Sequence, residues 1–153
     1  MRSINKSSRA ASSARLACVQ SLYKIEITGN SDDSIMFDYL LEQWSTINGE
    51  GKELFQPNKD KFDFLMCGVK MEKEEIDEII SAAISKGREF ERLEVLLKSI
   101  LRAGTLELLR EHNVPLAVII DEYVEIAHAF YFEKEPAFVN GVLDTIGKTL
   151  RAS

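Results

Sequence analysis

The sequence predicts an all-α protein of six to seven helices, and three observations carry that prediction. Apolar residues recur at three- and four-residue steps along most of the chain. No segment alternates with period two over the length of a strand. Gly, Asn and Pro fall where the stripes stop. With 153 residues, one domain or two small packed halves are expected. A chain of this size buries roughly 70% of its unfolded surface, so neither a disulfide nor a metal is needed to hold it.

Residues 1–13 are rich in Ser, Arg, Asn and Lys and read as a flexible basic tail. The first helix then runs from Ala14 to Ile27 on a stripe of Leu16, Val19, Leu22 and Tyr23, and Gly29-Asn30 stops it. A second spans Asp33 to Ile47 with Ile35, Met36, Tyr39, Leu40 and Trp44 on one face, capped by Ser31 or Asp32 and ended by Asn48-Gly49-Glu50-Gly51. Asp60 to Met71 forms a third, with Phe62, Leu65, Met66 and Val69 inside. Glu72-Lys73-Glu74-Glu75 is either a new first turn or a solvated face, after which Ile76, Ile79, Ile80, Ala83 and Ile84 resume the stripe up to Lys86-Gly87.

From Leu93 to Leu109 the pattern is continuous, with Glu94, Lys98 and Arg102 four apart on another face. Pro115 suits the start of a helix carrying Ile119, Ile120, Tyr123, Val124, Ala127 and Phe130. Val118-Ile119-Ile120 has strand propensity, but Asp121, Glu122 and Glu125 break any alternation. Pro136 marks the last boundary. Val139, Val142, Leu143, Ile146 and Leu150 complete the final amphipathic helix.

The net charge of −6 hides a polarity. Arg2, Lys6, Arg9, Arg15 and Lys24 precede any acid, giving the first 24 residues a charge of +5 and the remainder −11. A basic end on an acidic body can hold phosphate while the body repels it elsewhere, and the alternative is a solvated, frayed N-terminal tail. Cys18 and Cys67 stand alone in apolar surroundings, without a CxxC or a His at ligand spacing, and read as buried thiols of a reducing cytosol. No run approaches the ~18 apolar residues of a membrane span. Met1 to Arg15 has no apolar core for a signal peptide. A cytoplasmic protein is expected.

No catalytic constellation emerges. His112 and His128 lie apart from Cys, carboxylate pairs and each other, and read as surface residues. Gly49 and Gly51 make a lone GxG, which is turn chemistry. Asp121 and Glu125 share a helical face one turn apart, where solvent or bases meet them. Neither an enzyme, a cofactor nor a metal site is indicated. A binding module is what remains.

Four segments, in order, carry a specific resemblance. Ala14-Arg15-Leu16-Ala17-Cys18-Val19-Gln20-Ser21-Leu22-Tyr23 resembles the opening helix of the NusB family. Ile100-Leu101-Arg102-Ala103-Gly104 with Glu107-Leu108, then Val114-Pro115 leading into Ile120 to Ala127, are similar to its middle motifs. Phe138-Val139-Asn140-Gly141-Val142-Leu143-Asp144 matches its signature near the C-terminal end. The resemblance covers roughly residues 9–151. It implies a single helical domain over 14–151, built from two three-helix-bundle-like halves, about 14–85 and about 88–151.

The resemblance also implies a role. The family's transcription antitermination factors bind the boxA element of nascent ribosomal RNA together with NusE, a small-subunit ribosomal protein, and load on the RNA polymerase elongation complex. Monomer and homodimer are both open. For RNA it points to Lys6, Arg9, Arg15, Phe138 and Asn140. Phe138 is expected either to cover a base or to staple the start of its helix, and Gly141 to permit close helix packing. For the partner protein it points to Tyr23, Glu91, Glu94 and Leu97. Ala11-Ser12-Ser13 stands where many members carry arginines, and Leu97 where a Glu is usual. Two other readings compete: the NusB-like domain of a ribosomal RNA cytosine methyltransferase, which requires a truncated chain, and a helical scaffold that has lost RNA binding.

Overall fold

Helical periodicity resolves into six α-helices and no strand among the residues that the computed structural model describes, which are 6–29, 56–85 and 88–151. They are α1 (Lys6–Thr28), α2 (Lys59–Met71), α3 (Lys73–Ala83), α4 (Val95–Arg110), α5 (Leu116–Phe130) and α6 (Lys134–Leu150), with a 3-10 turn at Phe90–Arg92 before α4. The helix expected over Asp33 to Ile47, with its cap and stop signals, lies outside the described residues. The chain divides into two compact units, 1–66 and 67–153. The division falls inside α2 rather than at Lys86-Gly87, because α3 packs on α4 and α6 and so belongs with the second half.

In the first unit α1 begins at Lys6, so much of the segment expected as a flexible tail is helical. Ser8 to Ser13 contains no Pro or Gly, and three Ala, Arg or Ser side chains per turn leave nothing to interrupt the ladder. The buried face is also not the one marked by the large residues. Ala14, Ala17, Cys18, Val19 and Ser21 are buried, whereas Leu16 and Leu22 are half-buried. Small side chains bring a helix backbone close to its surroundings, and a pattern search weighted by large apolar residues passes over them. At the start of α2, Asn58 donates its backbone N–H to Ala10 O at 3.0 Å, and its side chain accepts from Lys61 N–H at 3.0 Å. Cys67, expected to be buried, is exposed on the face of α2 opposite Leu65, Met66 and Val69.

The second unit is a bundle in which α4, α5 and α6 pack mutually and α3 covers α4 and α6. Glu72 ends the ambiguity over the acidic run: it sits just ahead of α3, and Arg110 donates to its carboxylate through Nε at 2.9 and 3.1 Å. Hydrogen bonding from Arg110 holds that carboxyl below the ordinary Glu range. Pro115 serves as the N-cap of α5, its carbonyl accepting from Val118 and Ile119. Close approach of α5 and α6 depends on Gly147, where a Cβ would stand 2.0 Å from Leu116 Cδ1.

Most buried polar groups inside this unit are matched; the Thr105 hydroxyl, buried with no hydrogen-bond partner among the described residues, is not. Arg102 leaves the face it shares with Glu94 and Lys98 and pairs in bidentate fashion with Asp77 of α3, at 2.8 and 3.0 Å. Tyr123 donates to Glu107 Oε1 at 2.7 Å, both residues having no solvent exposure. The guanidinium of Arg151 donates to Leu108 O, Val114 O, Glu107 O and Glu111 O at 2.6–3.5 Å, adding a donor to carbonyls at the end of α4 and in the turn after it.

Candidate nucleic-acid interface

The signature segment occupies the first half of α6. Helix formation starts at Lys134, two residues ahead of Pro136, which is tolerated in a first turn because no helical carbonyl awaits its missing N–H. Helical spacing then buries Pro136, Val139, Val142, Leu143 and Ile146, and turns Asn140 and Gly141 outward. Gly141 is exposed and nothing lies within 4 Å of a Cβ built there, so the helix-packing role expected of it is not found. Phe138 is half-buried. It is not a staple: the residue just before the N-cap, Phe132, is 91% exposed, and the position a staple would use is Ala137.

The ring of Phe138 instead carries a cation. The guanidinium carbon of Arg88 lies 3.9 Å from its centroid, well inside the ~6 Å range of a cation–π contact. Arg88 is exposed, and its backbone N–H donates to Ser85 O at 3.3 Å. Two residues on, Phe90 is buried and anchors the 3-10 turn, with Arg102 at 5.1 Å and Lys98 at 5.5 Å from its ring centroid. Nothing in the sequence marked Arg88, because its partner is remote along the chain and belongs to another helix.

Acidic side chains lie in that turn and just after it. Glu91 and Glu94 are exposed. Glu94 accepts a hydrogen bond from the Tyr131 hydroxyl, and burial together with this contact pushes that hydroxyl well above the ordinary phenol range. Leu97 is a correction: it is only 3% exposed, because its position on α4 faces the core, and it presents no surface to a partner. On α1, Tyr23 is 40% exposed, so it is not a core residue. Arg9 is half-buried, and Arg15, at 5% exposed, has most of its surface covered, which corrects the expectation of an open phosphate contact there. Lys6 is the first residue of the helix. Among the described residues no group of three or more His, Cys, Asp or Glu could hold a metal ion, and no helix is long and apolar enough to cross a membrane.

Comparison with known proteins decides the family. The NusB family profile matches residues 12–148. The chain belongs to the NusB family. The transcription antitermination protein NusB of Allorhizobium ampelinum is 38% identical over 146 residues, covering 95% of this chain and 91% of the relative. That of Sphingopyxis alaskensis is 37% identical over 148 residues, covering 97% and 99%. Among solved structures, T. maritima NusB superposes with a TM-score of 0.71 at 28% identity, over 97% of this chain and 93% of that one. A crystal structure of the antitermination factors NusB and NusE in complex with dsRNA gives a TM-score of 0.71 at 26% identity, over 92% and 98%. The described helices therefore follow the NusB fold, and of the signature segment Asn140 and Gly141 lie at this member's surface.

Proposed function

We propose that this protein is a transcription antitermination factor: a binding protein, not a catalyst, that takes boxA RNA of nascent ribosomal RNA together with NusE and joins the elongating RNA polymerase in the cytoplasm. The observation that carries this reading is the match to NusB over residues 12–148, with Phe138, Asn140 and Gly141 of the signature not packed away in the core. The relatives bear the name of transcription antitermination proteins, and one of the similar structures holds NusE and RNA.

RNA is assigned to Lys6 and Arg9 of α1 and to Phe138 and Asn140 of α6, and Arg15, mostly covered, is left out of the contact. NusE is assigned to Tyr23, Glu91 and Glu94. An acidic surface complements a basic ribosomal protein and raises the rate of encounter.

A gel-shift titration of boxA RNA and a scrambled control, each with and without NusE, tests this. The expected result is tighter binding of boxA in the presence of NusE. Equal affinity for both RNAs in both settings overturns the reading. In the same assay, Lys6→Ala with Arg9→Ala lowers the slope of log affinity against log salt by about 0.7 per lost phosphate contact.

A further inference from the structure

We propose that Arg88 is the surface on which an unpaired RNA base stacks, with Phe138 beneath it as the residue that positions the guanidinium. This rests on the RNA-binding reading above and adds to it a contact residue outside the signature. One face of the Phe138 ring is occupied, since the Arg88 guanidinium carbon stands 3.9 Å from the centroid. A base cannot lie directly on that face without expelling Arg88. A base covering Arg88 instead keeps the existing contact and adds one.

The chemistry suits an RNA base. Guanidinium planes stack on bases as aromatic rings do, and a guanidinium sheds water more readily than an ammonium. Its N–H edge remains able to reach a phosphate. The local frame is held from both sides, by the Arg88 N–H to Ser85 O bond and by buried Phe90 two residues later. Gly141 supplies a second, independent observation. It lies one helical turn beyond Phe138, exposed, with open space where its Cβ would be. A glycine inside a helix weakens it relative to Ala. Among the described residues no contact lies within 4 Å of a Cβ there to account for the glycine, whereas a sugar–phosphate backbone lying against α6 would need the clearance.

The test uses the full chain with NusE and single-stranded boxA RNA, comparing wild type with Arg88→Ala, Arg88→Lys, Phe138→Ala and the Arg88→Ala/Phe138→Ala double variant. Arg88→Ala is expected to weaken RNA binding roughly tenfold, the scale of one lost stacking contact. Arg88→Lys keeps the charge but not the plane and is expected to lose nearly as much. The double variant should lose little more than either single one, because the two side chains act as one stack. NusE binding without RNA stays at the wild-type value in all four variants, which separates a binding defect from a folding defect. Unchanged or tighter RNA binding by Arg88→Ala overturns the proposal and returns the base to Phe138. Full rescue by Lys, or losses that add in the double variant, overturns it as well. If wild type itself shows no preference for boxA over the scrambled RNA, the RNA-binding reading falls first and this proposal falls with it.

Discussion

Helices α4 and α6 have nearly the same length, 16 and 17 residues, and opposite relations to solvent. From Ser99 to Leu108 every residue of α4 is buried, including Arg102, Thr105 and Glu107. On α6 burial is confined to one stripe, and the other side shows Asn140 and Gly141 with Phe138 at its margin. The charged residues buried on α4 have partners inside the unit, Asp77 for Arg102 and Tyr123 for Glu107, while the Thr105 hydroxyl is left without one. On α6 the Lys148–Asp144 pair and the Thr149 hydroxyl on Thr145 O are local contacts, and it is the exposed Asn140 and Gly141 that direct attention to a partner from outside. Two helices of one bundle thus carry their specificity in different places, α4 in the core and α6 at its surface.

Breaking the interior side gives the largest expected effect. Glu107→Ala strands the Tyr123 hydroxyl in a buried site and opens a cavity, and it is expected to lower unfolding free energy by about 3 kcal/mol. Glu107→Gln retains an acceptor and should lose less than half of that. Urea denaturation of the three proteins checks the order, and equal losses for Ala and Gln would show that packing, not the hydrogen bond, carries the position.

The glycines sharpen the contrast with one substitution made twice. Gly147→Ala places a methyl on Leu116 and should destabilise by about 1–3 kcal/mol. Gly141→Ala meets nothing and should stabilise the free protein by about 0.5–1 kcal/mol. Thermal unfolding of the two variants reads both signs. A loss of stability at Gly141 would mean that α6 is constrained from within after all.

Periodicity and punctuation were enough for the helices of the second unit, because α4 to α6 follow large apolar residues bounded by Asn113, Pro115 and Pro136. They were less informative for α1. Of its buried face only Val19 belongs to the expected stripe, the rest, Arg15 apart, being the small side chains of Ala14, Ala17, Cys18 and Ser21, and the serine-rich lead-in has helix-compatible residues that read as tail. The site divides the same way. A motif names Phe138, Asn140 and Tyr23 by their positions along the chain, and the structure leaves all three at least partly open to solvent. It does not name Arg88, since a cation stacked on a ring is a fact of tertiary distance. Leu97 and Arg15 were misjudged for a related reason: a motif says which residue type occurs, whereas exposure depends on which way the helix is turned.

One side chain near the end of the described chain ties together parts that would otherwise open separately. Arg151 follows α6, yet the carbonyls it holds belong to Glu107, Leu108, Glu111 and Val114, around the turn from α4 into α5. Fraying of the last turn of α6 therefore strips hydrogen bonds from the α4–α5 corner at the same moment. The two segments form one cooperative opening unit, and amide hydrogen exchange should show backbone protection over residues 147–151 and 108–114 collapsing together in Arg151→Ala.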